Sequence, residues 1–251
     1  MSNRASGWAN TMHSCVLGLA AGLAAFGSAG CAGRLVTSAV QNAIERRLPE
    51  LIGPAQSYSV AVHGSTRGIM RGRISEVSAQ GKGVWAQPDL CLDVLDIRMK
   101  DVVADPETES VKSVGEVVFS AAISQESLNR YLARTRPDVW SVELVEGEMV
   151  VQGRPKVWRL SADVRLNGHL VPKGDKLYFQ VDRLQVAGLT TPSIAAGIVE
   201  DRINPVLDLG GTKFSPELKS ATIAPGVVRV TGTAHLKSES LNDSAARSYP
   251  K

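Results

Sequence analysis

The feature that most constrains the fold is an alternation of apolar and polar residues with a period of two, which extends from Tyr58 to about Gly188. Alternation at this period is typical of strands with one buried and one solvated face. The clearest segment is WRLSADVRLNGHL, residues 158–170, and glycines and prolines separate such segments along the chain. The pattern predicts a sheet of antiparallel strands joined by turns.

Two of the predicted strands change phase midway. Alternation that includes Leu92 continues with Leu95 in the first strand, and alternation that includes Phe179 continues with Leu184 in the second. An inserted residue, a β-bulge, restores the register and adds bend and twist. The predicted strands are also long, at about 10 to 15 residues against a usual ~5 to 6. We therefore expect a long, strongly curved antiparallel sheet.

Two segments, residues 34–52 and 124–137, have apolar residues at helical spacing. Residues 34–52 carry apolar side chains four positions apart with polar residues between them, which predicts an amphipathic helix. Residues 124–137, SQESLNRYLARTRP, predict a second helix, and Ser124 and Ser127 are its candidate N-caps.

A third helix is predicted within residues 190–209, TTPSIAAGIVEDRINPVLDL. Either Pro205 kinks this helix so that it follows the concave face of the sheet, or the helix ends near Asn204 and the remaining residues are extended. Residues 31–236 are expected to form one domain of the α+β class, in which a long, strongly curved antiparallel sheet wraps around amphipathic helices.

The N-terminal region has the layout of a signal peptide. A polar stretch is followed by the uncharged apolar run CVLGLAAGLAAFGSAG, residues 15–30, which is shorter than the ~20 residues of a spanning helix. The run leads to Cys31 through Ser28-Ala29-Gly30 and resembles the bacterial lipobox, whose cysteine is acylated and becomes the mature N-terminus. Residues 1–30 are therefore predicted to be a signal peptide of the lipoprotein type.

Lipid attachment at Cys31 predicts an exported protein anchored to a membrane of the cell envelope. Cleavage after Ala29 or Ala32 also fits the residues and gives the alternative, a soluble periplasmic or secreted protein. Cys15 would leave with the signal peptide, so Cys91 would have no partner for a disulfide within the mature chain. Residues 237–251 are polar and are expected to be a disordered tail.

Charge and motifs exclude several classes of function. The net charge of +3 and the pI of about 8.8 are too low for a nucleic-acid binder. His63, His169 and His235 are far apart and lack the spacing of a zinc site, and no phosphate-binding loop occurs. The segment GSTRG, residues 64–68, resembles a nucleophile elbow but is expected to lie between strands without a helix. We predict no catalytic residue, no metal and no cofactor.

The order of these elements resembles a known family. The passage INPVLDLGGTKFSPELKSATIAPGVVRVTGTAHL, together with RLPELIG, SQESLNRYL and GLTTPSIAAGIVEDRINPV in that order, resembles the LmeA-like phospholipid-binding family over about residues 36–236. The resemblance implies an exported envelope protein with a fold similar to tubular lipid-binding domains, in which an apolar groove holds acyl chains. The sequence departs from the family pattern at residues 210–213, where such proteins tend to have a more apolar turn.

Two sets of residues are candidates for lipid contacts. The first set is apolar, lies on predicted strands and on the third helix, and would line a groove between helix and sheet: Leu160, Val164, Leu166, Leu177, Phe179, Val199, Ile203, Val206 and Leu207. Ordinary core packing is the alternative for each of them. The second set is Arg67, Arg71 and Arg73, which flank an apolar pair and are candidates for contacts to anionic head groups. A solvated strand edge is the alternative there.

The predicted function is non-catalytic binding of phospholipid or lipid-linked envelope intermediates by reversible burial of acyl chains, with transfer between membranes as an extension. The expected partners are an acyl-chain ligand and, through a lipidated N-terminus, a membrane surface; no nucleic acid is expected. A structural or interaction lipoprotein with a filled core is the alternative, and an envelope hydrolase is the third.

Overall fold

The computed structural model describes residues 31–105, 110–154, 156–157, 160–161, 163–186, 189–190, 194–210 and 215–235. Antiparallel strands dominate these residues, helices are few, and the sheet structure is curled into a half barrel, which is consistent with the α+β class. The helices are α1 (Cys31–Leu51), α2 (Thr66–Met70), α3 (Gln125–Thr135) and α4 (Ile194–Ile203). The strands are β1 (Ser57–His63), β2 (Arg73–Gln87), β3 (Leu90–Asp105), β4 (Ser110–Ser113), β5 (Glu116–Ser124), β6 (Val139–Val145), β7 (Glu148–Gly153), β8 (Lys156–Val157), β9 (Leu160–Ser161), β10 (Val164–Lys173), β11 (Lys176–Val186), β12 (Leu189–Thr190), β13 (Leu207–Asp208), β14 (Ser215–Ala224) and β15 (Val227–His235).

Two sheets make up most of the described structure. The seven-stranded sheet has the order β1-β2-β3-β5-β15-β14, with β4 paired to β3. The six-stranded sheet has the order β12-β11-β10-β7-β6, with β13 paired to β11, and β8 pairs with β9 alone. Side chains of both large sheets belong to one main hydrophobic cluster, so the two sheets share a core. Among the described residues, no helix combines the length and apolar character needed to cross a membrane.

One of the two predicted bulges is confirmed. In the pairing of β10 with β11, Asn167 is opposite Arg183 but Gly168 is opposite Val181, so Asp182 is the inserted residue. A side chain at Gly168 would collide with the carbonyl oxygen of Gln180, which explains a glycine at this point.

The bulge predicted within β3 is wrong. Lys82 pairs with Val94 and Val84 pairs with Leu92, so the register of β2 and β3 is unchanged across the phase change. Between these pairs Gly83 of β2 has a φ of +59°. A residue with left-handed φ rotates the local backbone. The buried face of the β2–β3 pair therefore changes at this point without an inserted residue in β3.

The helix ends follow from local capping. Ser124, one of the two predicted caps of α3, is the N-cap, and its hydroxyl accepts a hydrogen bond from the Ser127 backbone N–H at 3.2 Å. The helix α2 was not predicted, because residues 64–68 were expected to lack a helix. It begins because the Ser65 hydroxyl accepts from the Gly68 backbone N–H at 3.1 Å.

The third predicted helix ends at Ile203, and the extended alternative for the residues after it is confirmed. Asn204–Pro205 is a cis peptide bond, and Leu207–Asp208 pairs with β11 as strand β13. Of the residues before Ile194 that were predicted to begin this helix, Thr190 belongs to strand β12, and residues 191–193 lie outside the described part of the chain.

Candidate functional site

The apolar residues predicted to line a groove come together on the six-stranded sheet and the end of α4. Seven of them are 0% to 8% exposed and belong to the main hydrophobic cluster: Val164, Leu166, Leu177, Phe179, Ile203, Val206 and Leu207. The side chains of Leu160 and Val199 lie outside the described part of the structure. The seven described side chains are therefore packed against other side chains, and their role as lipid contacts stays a prediction.

Polar side chains of α4 close the edge of this sheet at β11. The Asn204 Oδ1 accepts from the Phe179 backbone N–H at 2.7 Å, and the Asn204 Nδ2 donates to the Phe179 carbonyl at 2.9 Å. One helical turn earlier, the Glu200 Oε1 accepts from the Val181 backbone N–H at 2.6 Å. The two side chains replace a neighbouring strand where β11 has none, between its pairings with β12 and β13.

The opposite edge of the same sheet, at β6, is closed by α3 in the same way. The Asn129 side chain accepts from the Val142 backbone N–H at 2.6 Å and donates to the Val142 carbonyl at 2.8 Å. The Gln125 Oε1, four residues earlier on the helix, accepts from the Leu144 backbone N–H at 2.7 Å. The two edges therefore share one arrangement. An asparagine side chain is hydrogen-bonded to the N–H and the carbonyl of one strand residue, and a second side-chain oxygen accepts from the N–H two residues later.

The guanidinium of Arg136, the residue after α3, is hydrogen-bonded to the C-terminal end of α4. Its Nε donates to the Ile203 carbonyl at 3.0 Å and its Nη2 donates to the Pro205 carbonyl at 2.9 Å. A cation at the C-terminal end of a helix satisfies carbonyl groups that have no partner within the helix. The C-terminal end of α4 is therefore fixed to the residue that follows α3.

The apolar face of the seven-stranded sheet is covered less completely. Val60, Ala79, Ile97, Phe119 and Gly232 are successive partners across five strands and so share one face. Ala79, Phe119 and Gly232 are buried, whereas Val60 and Ile97 are only partly buried. Solvent therefore reaches apolar side chains on this face, as it also reaches Val181 and Val186 of β11 in the six-stranded sheet.

Helix α1 contacts the edge strand β1 of this sheet, which carries Val60. Val40 and Ile44 of α1 are partly buried, and Ile44 packs against both the main cluster and a second cluster formed around Val62 and Ile69. The partly buried apolar side chains between α1 and the sheet are here called the α1 strip: Val40, Ile44, Val60, Ile97, Met99 and Val114. These residues were not among the sequence candidates, although the alternation in SYSVAVH and the fourfold spacing in α1 place several of them on apolar faces.

Tyr58 borders one end of the strip. It pairs with Gly81 of β2, where an added Cβ would lie 2.5 Å from the Val84 Cγ2 and 2.8 Å from the Tyr58 Cε1. The Tyr58 hydroxyl donates to the Gly53 carbonyl at 2.7 Å, and burial raises its pKa to about 12. Tyr58 is therefore a neutral hydrogen-bond donor at physiological pH, and Gly81 provides the space for its ring.

The predicted head-group residues lie on α2 and at the start of β2. Arg67, Arg71 and Arg73 are all exposed, and none of the ion pairs within the described residues involves them. Met70 between them is 57% exposed. As contacts to head groups, these arginines stay predictions.

Chemically reactive groups in the described residues are dispersed. No group of three or more His, Cys, Asp or Glu side chains in this part of the chain is arranged to hold a metal ion. His169 contacts Asp182 at 2.9 Å on the protein surface. Burial, and next the charge of Asp93, raises the pKa of the Cys91 thiol, which disfavours the nucleophilic thiolate.

These observations define a two-sheet antiparallel protein with a shared apolar core, some of whose side chains are only partly buried. A model of the LmeA-like phospholipid-binding family matches residues 31–247, and the chain belongs to this family. The resemblance predicted from the sequence is thereby confirmed. No curated protein and no solved structure matched the chain in the corresponding comparisons.

Proposed function

We propose that this protein binds phospholipid reversibly, without covalent chemistry, and that the acyl chains lie on the α1 strip. The observation that carries the proposal is the group of partly buried apolar side chains on the seven-stranded sheet and α1, because an apolar ligand would remove their remaining apolar surface from water. Membership of a phospholipid-binding family supports the same ligand class. Each buried methylene contributes ~0.8 kcal/mol, so such a site needs no strong polar contact.

The strip has the shape that an extended chain requires. Val60 and Ile97 lie on the β1 and β3 members of one cross-strand row, and Met99 lies two residues beyond Ile97 on the same face. Val40 and Ile44 of α1 are one helical turn apart, and they pack against the same hydrophobic cluster as Val60 and Met99. An acyl chain between helix and sheet would contact both sets and remove their remaining apolar surface from water.

The groove between α4 and β11 is the second location for acyl chains, and it requires more rearrangement. Its described candidates, such as Leu166 and Phe179, are already in contact with other side chains, so a ligand there must displace packed residues. The resemblance to tubular lipid-binding domains, export, envelope association and acylation at Cys31 belong to the same proposal. Envelope association and acylation at Cys31 would place the α1 strip near the membrane that supplies the lipid.

A structural or interaction lipoprotein is the second candidate function. The observation that favours it is the well-packed core at the six-stranded sheet, whose edges at β6 and β11 both receive hydrogen bonds from asparagine side chains. If the α1 strip is only a loosely packed core, no ligand would be present and partners would bind other surfaces.

The experiment is native mass spectrometry of the protein without residues 1–30, purified free of detergent from a bacterial host, with identification of any bound lipid. Val60→Trp fills the strip, and we expect it to remove co-purified phospholipid. Ser59→Trp is the matched control, because Ser59 is exposed on the opposite face of the same strand; it should retain the lipid. Circular dichroism checks that both variants fold. A wild-type protein that stays free of lipid after incubation with liposomes would contradict the proposal.

A further inference from the structure

The segment 63–75 carries three positive charges and no negative charge. Arg67, Arg71 and Arg73 are its only Lys, Arg, Asp or Glu residues. Some other cations of the described residues are in ion pairs, for example Arg98 with Glu76 at 3.5 Å. The described ion pairs do not include the three arginines of this segment, so their charges are directed to solvent.

Apolar side chains accompany these charges. Met70 is 57% exposed, the largest value among the exposed large hydrophobic residues of the described structure. Val103, 36% exposed, is the direct cross-strand partner of Arg73, so the two side chains share a face at the end of the sheet. A surface that combines arginines with exposed apolar side chains fits the boundary between head groups and acyl chains of a membrane.

The same segment is connected to the α1 strip. Ile69 of α2 is buried in the second hydrophobic cluster, and Val40, Ile44, Val60 and Met99 of the strip pack against that cluster. Helix α2 therefore exposes Met70 to solvent, and its buried residue Ile69 belongs to the cluster that borders the proposed acyl-chain site. A membrane bound at α2 would be adjacent to one end of the strip.

We propose that segment 63–75 is a docking surface for membranes rich in anionic phospholipid. This inference rests on the proposed lipid binding and adds the surface from which lipid is taken or to which it is returned. Arginine guanidinium groups donate paired hydrogen bonds to phosphate oxygens, and Met70 would enter the layer beneath. A soluble phosphate ion would satisfy the arginines but would leave the apolar side chains exposed, so a membrane fits both features.

The test measures binding of the full chain, with Cys31→Ser in every variant, to two kinds of sedimentable vesicle. One kind is pure phosphatidylcholine, and the other contains equal amounts of phosphatidylcholine and phosphatidylglycerol. Any contribution of residues 1–30 to binding is common to all variants. A difference between variants in the ratio of the two vesicle affinities, anionic over neutral, therefore measures the effect of the substituted arginines. Each arginine near an anionic surface contributes roughly fivefold, and we expect R67Q/R71Q/R73Q to reduce the ratio on the order of a hundredfold.

The control R183Q/R202Q/R229Q removes the same charge from three other exposed arginines. It should leave most of the preference for phosphatidylglycerol, and added salt should reduce the preference of the control but not of R67Q/R71Q/R73Q. M70S should weaken binding to both vesicle types. Equal losses in the two triple variants would overturn the inference, because the preference would then reflect net charge alone.

Native mass spectrometry of the same variants separates this inference from the proposed function. R67Q/R71Q/R73Q should keep its co-purified phospholipid while it loses vesicle preference. If every variant is free of lipid but the vesicle ratio falls as expected, the acyl-chain proposal fails and the docking surface remains. If inorganic phosphate at millimolar concentration abolishes the preference as completely as the triple substitution, the segment is a phosphate site and the membrane assignment is wrong.

Discussion

The two large sheets of this protein differ in how their apolar faces are covered. On the six-stranded sheet, Leu166 and Phe179 are almost completely buried, and α3 and α4 close both edges with hydrogen bonds from their side chains. On the seven-stranded sheet, Val60 and Ile97 remain partly exposed beside α1. The difference shows that a helix can cover a sheet in two ways: it can bury apolar side chains, and it can provide hydrogen-bond partners for the N–H and carbonyl groups of an edge strand.

The contacts of the helices explain this difference. Helices α3 and α4 each provide an asparagine that pairs with both backbone groups of one strand residue. Helix α1 contacts the seven-stranded sheet through apolar side chains such as Ile44 and Leu48. Apolar contacts are non-directional, and we propose that an acyl chain binds between α1 and this sheet.

The largest effect is expected from truncating core side chains on the two faces. Phe179→Ala removes a buried ring from the covered face and should lower the free energy of unfolding by about 3 to 5 kcal/mol. Ile97→Ala removes a partly buried side chain and should cost about 1 to 2 kcal/mol, because part of its surface is already in water. Urea unfolding of lipid-free protein measures both. Equal losses would show that the two faces are equally packed and would remove the basis of the comparison.

A smaller effect is expected from the asparagines that close the six-stranded sheet. Asn204→Ala leaves the N–H and the carbonyl of Phe179 without partners and should cost about 2 to 3 kcal/mol. Asn129→Ala should have a similar effect through Val142. Asn42→Ala is the control, since this asparagine is exposed on α1 and alanine favours helix. Urea unfolding that places all three variants within experimental error of the wild type would contradict the proposed role of the edge contacts.

The smallest effect concerns the ion pair where β13 joins β11. The hydrogen bond from Lys176, at 2.9 Å, lowers the pKa of the Asp208 carboxyl. A depressed carboxyl pKa in the folded state stabilises the protein above the ordinary aspartate pKa of ~3.9 and loses that contribution as the pH falls through the depressed value. Both groups are more than a third exposed, so Lys176→Gln should lower the free energy of unfolding only slightly at neutral pH. Urea unfolding at neutral and at acidic pH should show this difference disappear in acid; a constant difference would exclude the charge effect.

Local patterns predicted the parts of the fold that depend on neighbouring residues. Alternation predicted the long strands, the phase change near Phe179 predicted the bulge at Asp182, and Ser124 was predicted as a cap. The phase change near Leu92 was misinterpreted, because a glycine in the partner strand produces it. The five-residue helix α2 is too short for a periodic signal.

The candidate site depended on information that no local pattern contains. Whether an apolar strand residue is covered depends on which helix lies over it, and that is fixed by contacts between distant segments such as Asn204 and Phe179. The sequence alternation identified Leu166 and Phe179 as apolar, and the same alternation describes Val60. The structure separates them by burial, and the family description supplies the ligand class.

The central claim is that acyl chains lie under α1, and photocrosslinking tests it most directly. A phospholipid with a photoreactive diazirine in its acyl chain would be bound to the protein and irradiated, and the labelled peptides would be identified by mass spectrometry. We expect labels in α1, β1 and β3, concentrated around Ile44, Val60 and Ile97. Labels concentrated in β10, β11 and α4 would contradict it and would place the ligand in the groove predicted from the sequence.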